Sequence, residues 1–222
     1  ELERLICASG PTGGHLIRPS DGKIPRSVAF IQCIGSRDRR GWINHSYCSS
    51  ICCKYAVKDA VLIKEHEPDS RVIIFYIDMR AFGRGFQEFI NRAKSEFGIA
   101  FVRSSPGEIS EDPATKNLIV WFEDPITRTV QHIPFDLVVL CPALIPRKGV
   151  EELAKTLSIE LDNYGFLKSA DAVKTPLDTV VPGIFACGYC LGPKTGDVPD
   201  SVTQASAAAA RVFEVLTDKE AP

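Results

Sequence analysis

The 222-residue chain contains one methionine, two tryptophans and no surplus of either charge: 26 Lys and Arg face 28 Asp and Glu, a net charge of −2. Without a basic excess there is no broad electrostatic footprint for nucleic acid or for an anionic membrane. The apolar runs are short. Val72-Ile-Ile-Phe-Tyr-Ile77 falls far below the roughly 20 residues that span a bilayer, so no membrane insertion is predicted. The opening residues Glu1-Leu-Glu-Arg-Leu5 carry charge in place of an apolar segment, so they do not resemble a signal peptide and secretion is not supported. The lack of an initial Met suggests a fragment or a processed product. Internal repeats and low-complexity tracts are also missing. With 45% hydrophobic and 24% charged residues, the chain has the composition of an ordinary globular protein able to bury a core.

What the chain has in number is cysteine, eight in all. That is too few for a disulfide-built secreted scaffold of this size and many for a cytosolic enzyme, where clustered cysteines more often mean metal or redox chemistry.

Short apolar runs alternate with helical patterns, the arrangement of an α/β fold. Strands are predicted over residues 27–33, 72–78, 99–103, 117–122, 135–141 and 183–187. Helices are predicted over 47–66 (with Asn44 or Ser46 as its cap and Pro68 beyond its end), 86–97, 149–157 and 200–216. Gly98 suits the left-handed residue that closes a helix. Residues 117–123 and 130–134 read as a hairpin through Asp124-Pro125. Ser201 and Gln204 have the spacing of a capping box. The stretch from Pro142 to Gly149 reads as a domain crossing. The part beyond it is too thin to stand alone and is expected to complete a larger domain.

Cys33 closes the first predicted strand, and Cys48, Cys52 and Cys53 fall on the first turns of the helix predicted after it. Residues four apart share a helix face, and a helix start favours thiolate. Four such thiolates could hold a 4Fe-4S cluster or a zinc ion. One remote cysteine plus Cys-x-x-x-Cys-Cys fits iron–sulfur better than the paired knuckles of structural zinc, while the bland alternative is packed apolar cysteines. Cys187-Gly-Tyr-Cys190 is formally a redox motif, but no helix is predicted to begin directly after it, and a strand cysteine plus a loop cysteine explains it equally well. Cys7 and Cys141 are assigned to packing. The loop after the first strand, Cys33-Ile-Gly35 through Gly41, is too long and too poor in glycine for the dinucleotide fingerprint, so nicotinamide is not expected there. Arg37, Arg39 and Arg40 read as a solvated basic loop that could contact an anion.

Residues 28–38, 47–58, 75–86 and 199–209 together resemble the A-type subunit of heterodisulfide reductase and the related flavoprotein subunits of the quinone-interacting membrane-bound oxidoreductase. The likeness runs along nearly the whole chain. It implies an α/β, thioredoxin-reductase-like architecture: residues 1–25 as a linker from an absent FAD-binding half, 26–145 as a Rossmann-type, nicotinamide-domain-like unit carrying the cysteines, and 146–222 as the C-terminal part of an FAD-binding domain. Carried over by residue, it makes Cys33, Cys48, Cys52 and Cys53 ligands of a 4Fe-4S cluster and places Lys58 beside the flavin. It places Gly188, Tyr189, Lys194, Ser201, Val202 and Gln204 among the FAD contacts. Tyr189 departs from the aspartate that related disulfide reductases have at this turn. The implied function is electron relay between FAD, in the full-length protein, and the cluster. The implied partners are other subunits of a heterodisulfide-reductase-like or quinone-interacting complex and a ferredoxin-type carrier, with room for a homodimer. The implied setting is cytoplasmic or peripheral to a membrane complex, and the fragment alone is expected to be inactive. Two readings compete with this: a non-catalytic docking module with structural zinc or packed cysteines, and a thiol–disulfide oxidoreductase using Cys187 and Cys190.

Overall fold

A computed structural model describes residues 1–38, 45–193 and 197–217, which form two compact units. Unit 1 comprises Glu1–Ser36 with Ile51–Ala143, and unit 2 comprises Arg37–Ser50 with Leu144–Pro222.

Unit 1 begins with a short helix, α1 (Leu2–Ile6), in a region the sequence offers only as linker. Its scaffold is a four-stranded parallel sheet in the order β3-β2-β1-β7, built from β1 (Ser27–Ile34), β2 (Arg71–Phe75), β3 (Ala100–Val102) and β7 (Leu137–Pro142). The central strand β1 is apolar without alternation because both of its faces are buried. Side chains still divide by period two. Val28 and Phe30 join a core with Ala56, Val57, Ala60 and Ile63 of α2 (Cys52–His66) and with Ile90 and Ala93 of α3 (Phe86–Ser95). Ala29 and Ile31 face the other way, with Ile73 and Phe75, toward Val120, Phe122 and Phe135. Those last three lie on or at the end of an antiparallel sheet of β4 (Glu108–Glu111), β5 (Leu118–Glu123) and β6 (Val130–Phe135). Unit 1 is therefore a layered helix–sheet–sheet structure. The Phe75 ring meets Phe122 and Phe135 edge-on at centroid distances of 5.0 and 6.2 Å, which ties the two sheets together.

Two sequence expectations change in this unit. The helix predicted from residue 47 begins only at Cys52, because Ser50 takes a left-handed backbone (φ 62°) that an α-helix cannot continue through. Its cap is Ile51, with no side-chain cap bond; Ser46 does not serve, and Asn44 lies outside the described residues. Gly98 does take the left-handed conformation (φ 63°) beyond α3.

Unit 2 contains α4 (Val150–Leu157), a 3-10 turn (Gly188–Leu191) and the long helix α5 (Val198–Thr217). The strand expected at 183–187 is absent from the described residues. Phe185 makes a single isolated bridge to Asp178, with no neighbouring strand to extend the pairing. The spacing of Ser201 and Gln204 does not produce a capping box. Asp197 accepts the Asp200 N–H at 2.9 Å, Ser201 donates to Asp197 O, and Gln204 turns away to the 3-10 turn.

Candidate functional site

Cys33 sits where β1 ends and its pairing with β7 breaks register between Ile31 and Ile34. Its backbone is left-handed (φ 63°), unusual for a residue with a side chain and the kind of outlier that marks a functional position. Cys52 and Cys53 are the first two residues of α2, where the unpaired amides of a helix start favour anionic sulfur. Both are buried. Cys53 Sγ accepts the backbone N–H of Arg80 at 3.4 Å and lies 3.7 Å from Asp78 O, so the segment after β2 packs against it. Cys52 Sγ lies 3.7 Å from Pro142 O, and Gln32 Nε2 donates to Cys52 O.

Cys48 belongs to unit 2 and precedes the helix, which corrects the expectation that Cys48 and Cys52 share one helical face. Its Sγ accepts the Ser50 N–H at 3.4 Å. The four thiols fit a soft metal group in kind, being cysteine sulfur at the end of β1, at the start of α2 and in the chain just before it, with N–H donors on the Cys48 and Cys53 sulfurs. Among the described residues no three His, Cys, Asp or Glu side chains gather in a ready metal-holding arrangement.

Lys58, on α2, has Nζ 2.5 Å from Glu3 Oε1 and 2.9 Å from Asp59 Oδ1. Burial lowers the Lys58 pKa, but the hydrogen bond to Glu3 and the nearby charge of Asp59 outweigh it and the net shift is upward. Asp59 is 3% exposed, and its pKa is raised because loss of solvent outweighs the attraction of Lys58. The carboxylate is more buried than its cation, and Oδ1 has the ammonium near it yet no aligned hydrogen bond.

In unit 2, Gly188 N–H donates to Gln204 Oε1 at 2.6 Å, so Gln204 holds the 3-10 turn against α5. Ser201 is half-buried beside that turn, Val202 is exposed, and Lys194 lies outside the described residues, as do Arg39 and Arg40. Tyr189 spends its hydroxyl on Ser49 O at 3.2 Å, a donor role that an aspartate could not take. With Phe166, Val150, Ile145, Pro146 and Cys190 it lines a cavity of about 220 Å³. Cys190 Sγ donates to Cys187 O at 3.0 Å; the residue is exposed, yet loss of solvent around the sulfur pushes its thiol up, away from the activated thiolate of a redox pair. Cys141 is packed in the core as its assignment to packing requires, whereas Cys7 is exposed and bonded to Ser9, a correction to the same assignment.

The residues that sequence reasoning missed are those that position the cysteines. Ser49 is completely buried, and Gln32, Asp78 and Arg80 reach cysteine backbone or sulfur. Only a buried polar residue beside a cysteine could have signalled them.

No protein-family model matches the chain. An A-type iron-sulfur subunit of CoB–CoM heterodisulfide reductase from Methanopyrus kandleri is 49% identical over 220 residues, covering 99% of this chain and 33% of that protein. The A-type subunit of the H2/formate:CoB–CoM heterodisulfide,ferredoxin reductase of Methanococcus maripaludis is 47% identical over 212 residues, covering 96% of this chain and 32% of that one. Thioredoxin reductase of Lactococcus lactis superposes with a TM-score of 0.56 at 21% identity, over 86% of this chain and 53% of its own, a likeness of fold alone. The chain has a thioredoxin-reductase-like α/β fold and belongs by sequence to the family of heterodisulfide reductase A-type subunits, spanning about a third of the length of the curated relatives it matches.

Proposed function

We propose that this chain is part of the electron-transfer subunit of a heterodisulfide-reductase-like oxidoreductase, in which Cys33, Cys48, Cys52 and Cys53 hold a 4Fe-4S cluster that exchanges electrons with FAD bound by the full-length protein. The cluster would supply single-electron steps and the flavin two-electron steps. The observation that carries the reading is the setting of Cys33, Cys52 and Cys53: a left-handed break at the end of β1 and the first residues of α2, with Arg80 N–H donated to sulfur. Donors to cluster sulfur raise the potential by favouring the more reduced, more negative state.

The remaining roles belong to the chain's own groups. Lys58, held by Glu3 and Asp59, offers a cation that favours negative charge on a reduced ring beside it. Gly188, Tyr189, Ser201, Val202 and Gln204 form the turn and helix start where the flavin would dock, with Gln204 fixing the turn through Gly188. Other subunits of such a complex and a ferredoxin-type carrier are the proposed partners, and a homodimer is compatible with this. Among the described residues no helix is long and apolar enough to cross a membrane, and the proposed setting is the cytoplasm or the edge of a membrane complex. On its own the 222-residue segment is proposed to lack turnover.

Anaerobic iron, sulfide and flavin analysis of the natural protein tests the reading. Reconstituted anaerobically, the 222-residue segment is expected to hold about four irons with broad visible absorbance. Cys52→Ser and Cys53→Ser should lose that colour while the fold is retained. Bound zinc without iron would refute the reading.

A further inference from the structure

Cys48 is flanked on both sides by buried residues of unit 2: Tyr47 is 8% exposed and Ser49 is 0% exposed. Each is tied to chain about a hundred or more residues away. Ser49 Oγ accepts the Leu144 N–H at 2.9 Å, and Tyr47 Oη donates to Leu144 O at 2.7 Å. The Tyr47 ring packs edge-on against Phe166 at 5.6 Å, and Phe166 packs edge-on against Tyr189 at 5.8 Å. Tyr189 closes the circuit by donating its hydroxyl to Ser49 O at 3.2 Å, across 140 residues of sequence.

We infer that Tyr189 is a positioning residue for Cys48: its hydroxyl fixes the Ser49–Ser50 peptide, so that the turn proposed to meet the flavin and a proposed cluster ligand are held as one piece of unit 2. This rests on the reading of Cys48 as a cluster ligand. The Ser49 carbonyl needs a donor, and a carboxylate at position 189 would present only acceptors and repel it. Phenylalanine there would keep the ring and its contact with Phe166 yet leave Ser49 O without that donor. The peptide could then rotate, and with it the Ser50 N–H that faces Cys48 Sγ at 3.4 Å.

The test uses Tyr189→Phe in the natural protein, with Tyr164→Phe as control, since the Tyr164 hydroxyl pairs with the exposed Ser46 and, among the described residues, with no backbone of residues 47–50. Hydrogen exchange of residues 47–50 is read in metal-free protein. Iron loss to a chelator and the EPR-monitored midpoint potential are read in the loaded protein. Loss of one hydrogen bond should speed exchange about two- to tenfold. Iron loss should quicken by a similar factor with a displaced potential, while Tyr164→Phe changes neither. Unchanged exchange in Tyr189→Phe overturns the clamp. Faster exchange with unchanged iron loss and potential overturns its role toward Cys48. A natural protein without a cluster overturns the underlying reading and this proposal with it, and the exchange measurement tells that failure apart from the others.

Discussion

Replacing Lys58 with Met probes a charge pair whose carboxylate is far more buried than its cation. The Asp59 side chain is 4% exposed and that of Lys58 47% exposed, with Nζ 2.9 Å from Oδ1. At that distance the attraction is about 1 kcal/mol in bulk water and about 6 kcal/mol at an effective dielectric near 20. The half-exposed lysine pulls the value toward the lower end, so a loss of about 1–3 kcal/mol is expected at pH 8. The pH dependence has a definite sign. Burial already holds the folded Asp59 pKa above its ordinary value, so the native state keeps a proton that the unfolded chain releases. Stability is therefore fullest below the ordinary carboxylate pKa and falls as pH rises toward the folded value. Without Lys58 that folded value climbs further, and the fall extends to higher pH. Urea unfolding at pH 5 and pH 8 should show Lys58→Met costing more at pH 8, with Asp59→Asn in the same chain recovering most of the loss. A loss equal at both pH values, or one that Asp59→Asn does not relieve, would refute the reasoning.

Phe75→Ala empties the junction between the two sheets and should cost unit 1 about 3–5 kcal/mol by denaturant titration; a cost under about 1 kcal/mol would mean the aromatic trio does not hold the layers together. Asp136→Ala strips the acceptor from the Arg26 and Ser27 amides, bonded at 2.8 and 2.9 Å, and should cost about 1–3 kcal/mol, with loss of amide protection at the start of β1. In native protein, iodoacetamide should modify Cys7 first, since its bond to Ser9 lowers its thiol pKa in full exposure. Cys141, pushed up by burial, should react only after unfolding, as peptide mass mapping would show.

The parallel sheet was legible because the physics that places its strands is local in sequence. A strand buried on both faces must be continuously apolar, as Val28-Ala-Phe-Ile31 is, and a helix packed on one face must repeat its apolar residues as α2 does. Elements with little burial gave no such signal. β4 is Glu-Ile-Ser-Glu with one apolar residue and exists because β5 pairs with it, and α1 is five residues packed beside the core. The opposite error arose at Gly183-Ile-Phe-Ala186. Its apolar run has the composition of a strand, but a strand needs a neighbour, and a single bridge to Asp178 is all that forms among the described residues.

The cysteines divide along the same line. Cys52 and Cys53 were placed correctly on a helix by spacing, since the pattern running on to His66 is long and periodic, but the helix starts at Cys52 and not at Tyr47. Cys48 was placed wrongly by the same pattern. Tyr47 and Ile51 sit at helical intervals from the apolar residues of α2, yet Tyr47 is buried against Tyr164 and Phe166, and Ser50 turns left-handed between them. Apolar periodicity records that a side chain is buried, not which partner buries it. A residue committed to a distant partner can therefore mimic one turn more of helix. For Cys48 the distinction has chemical weight. A cysteine on a helix is aimed by that helix's own hydrogen bonds, whereas Cys48 lies in non-helical chain held through Tyr47 and Ser49 by Leu144 and Tyr189. Its direction is thus sensitive to substitutions about a hundred or more residues away, which leave the Cys-x-x-x-Cys-Cys spacing untouched.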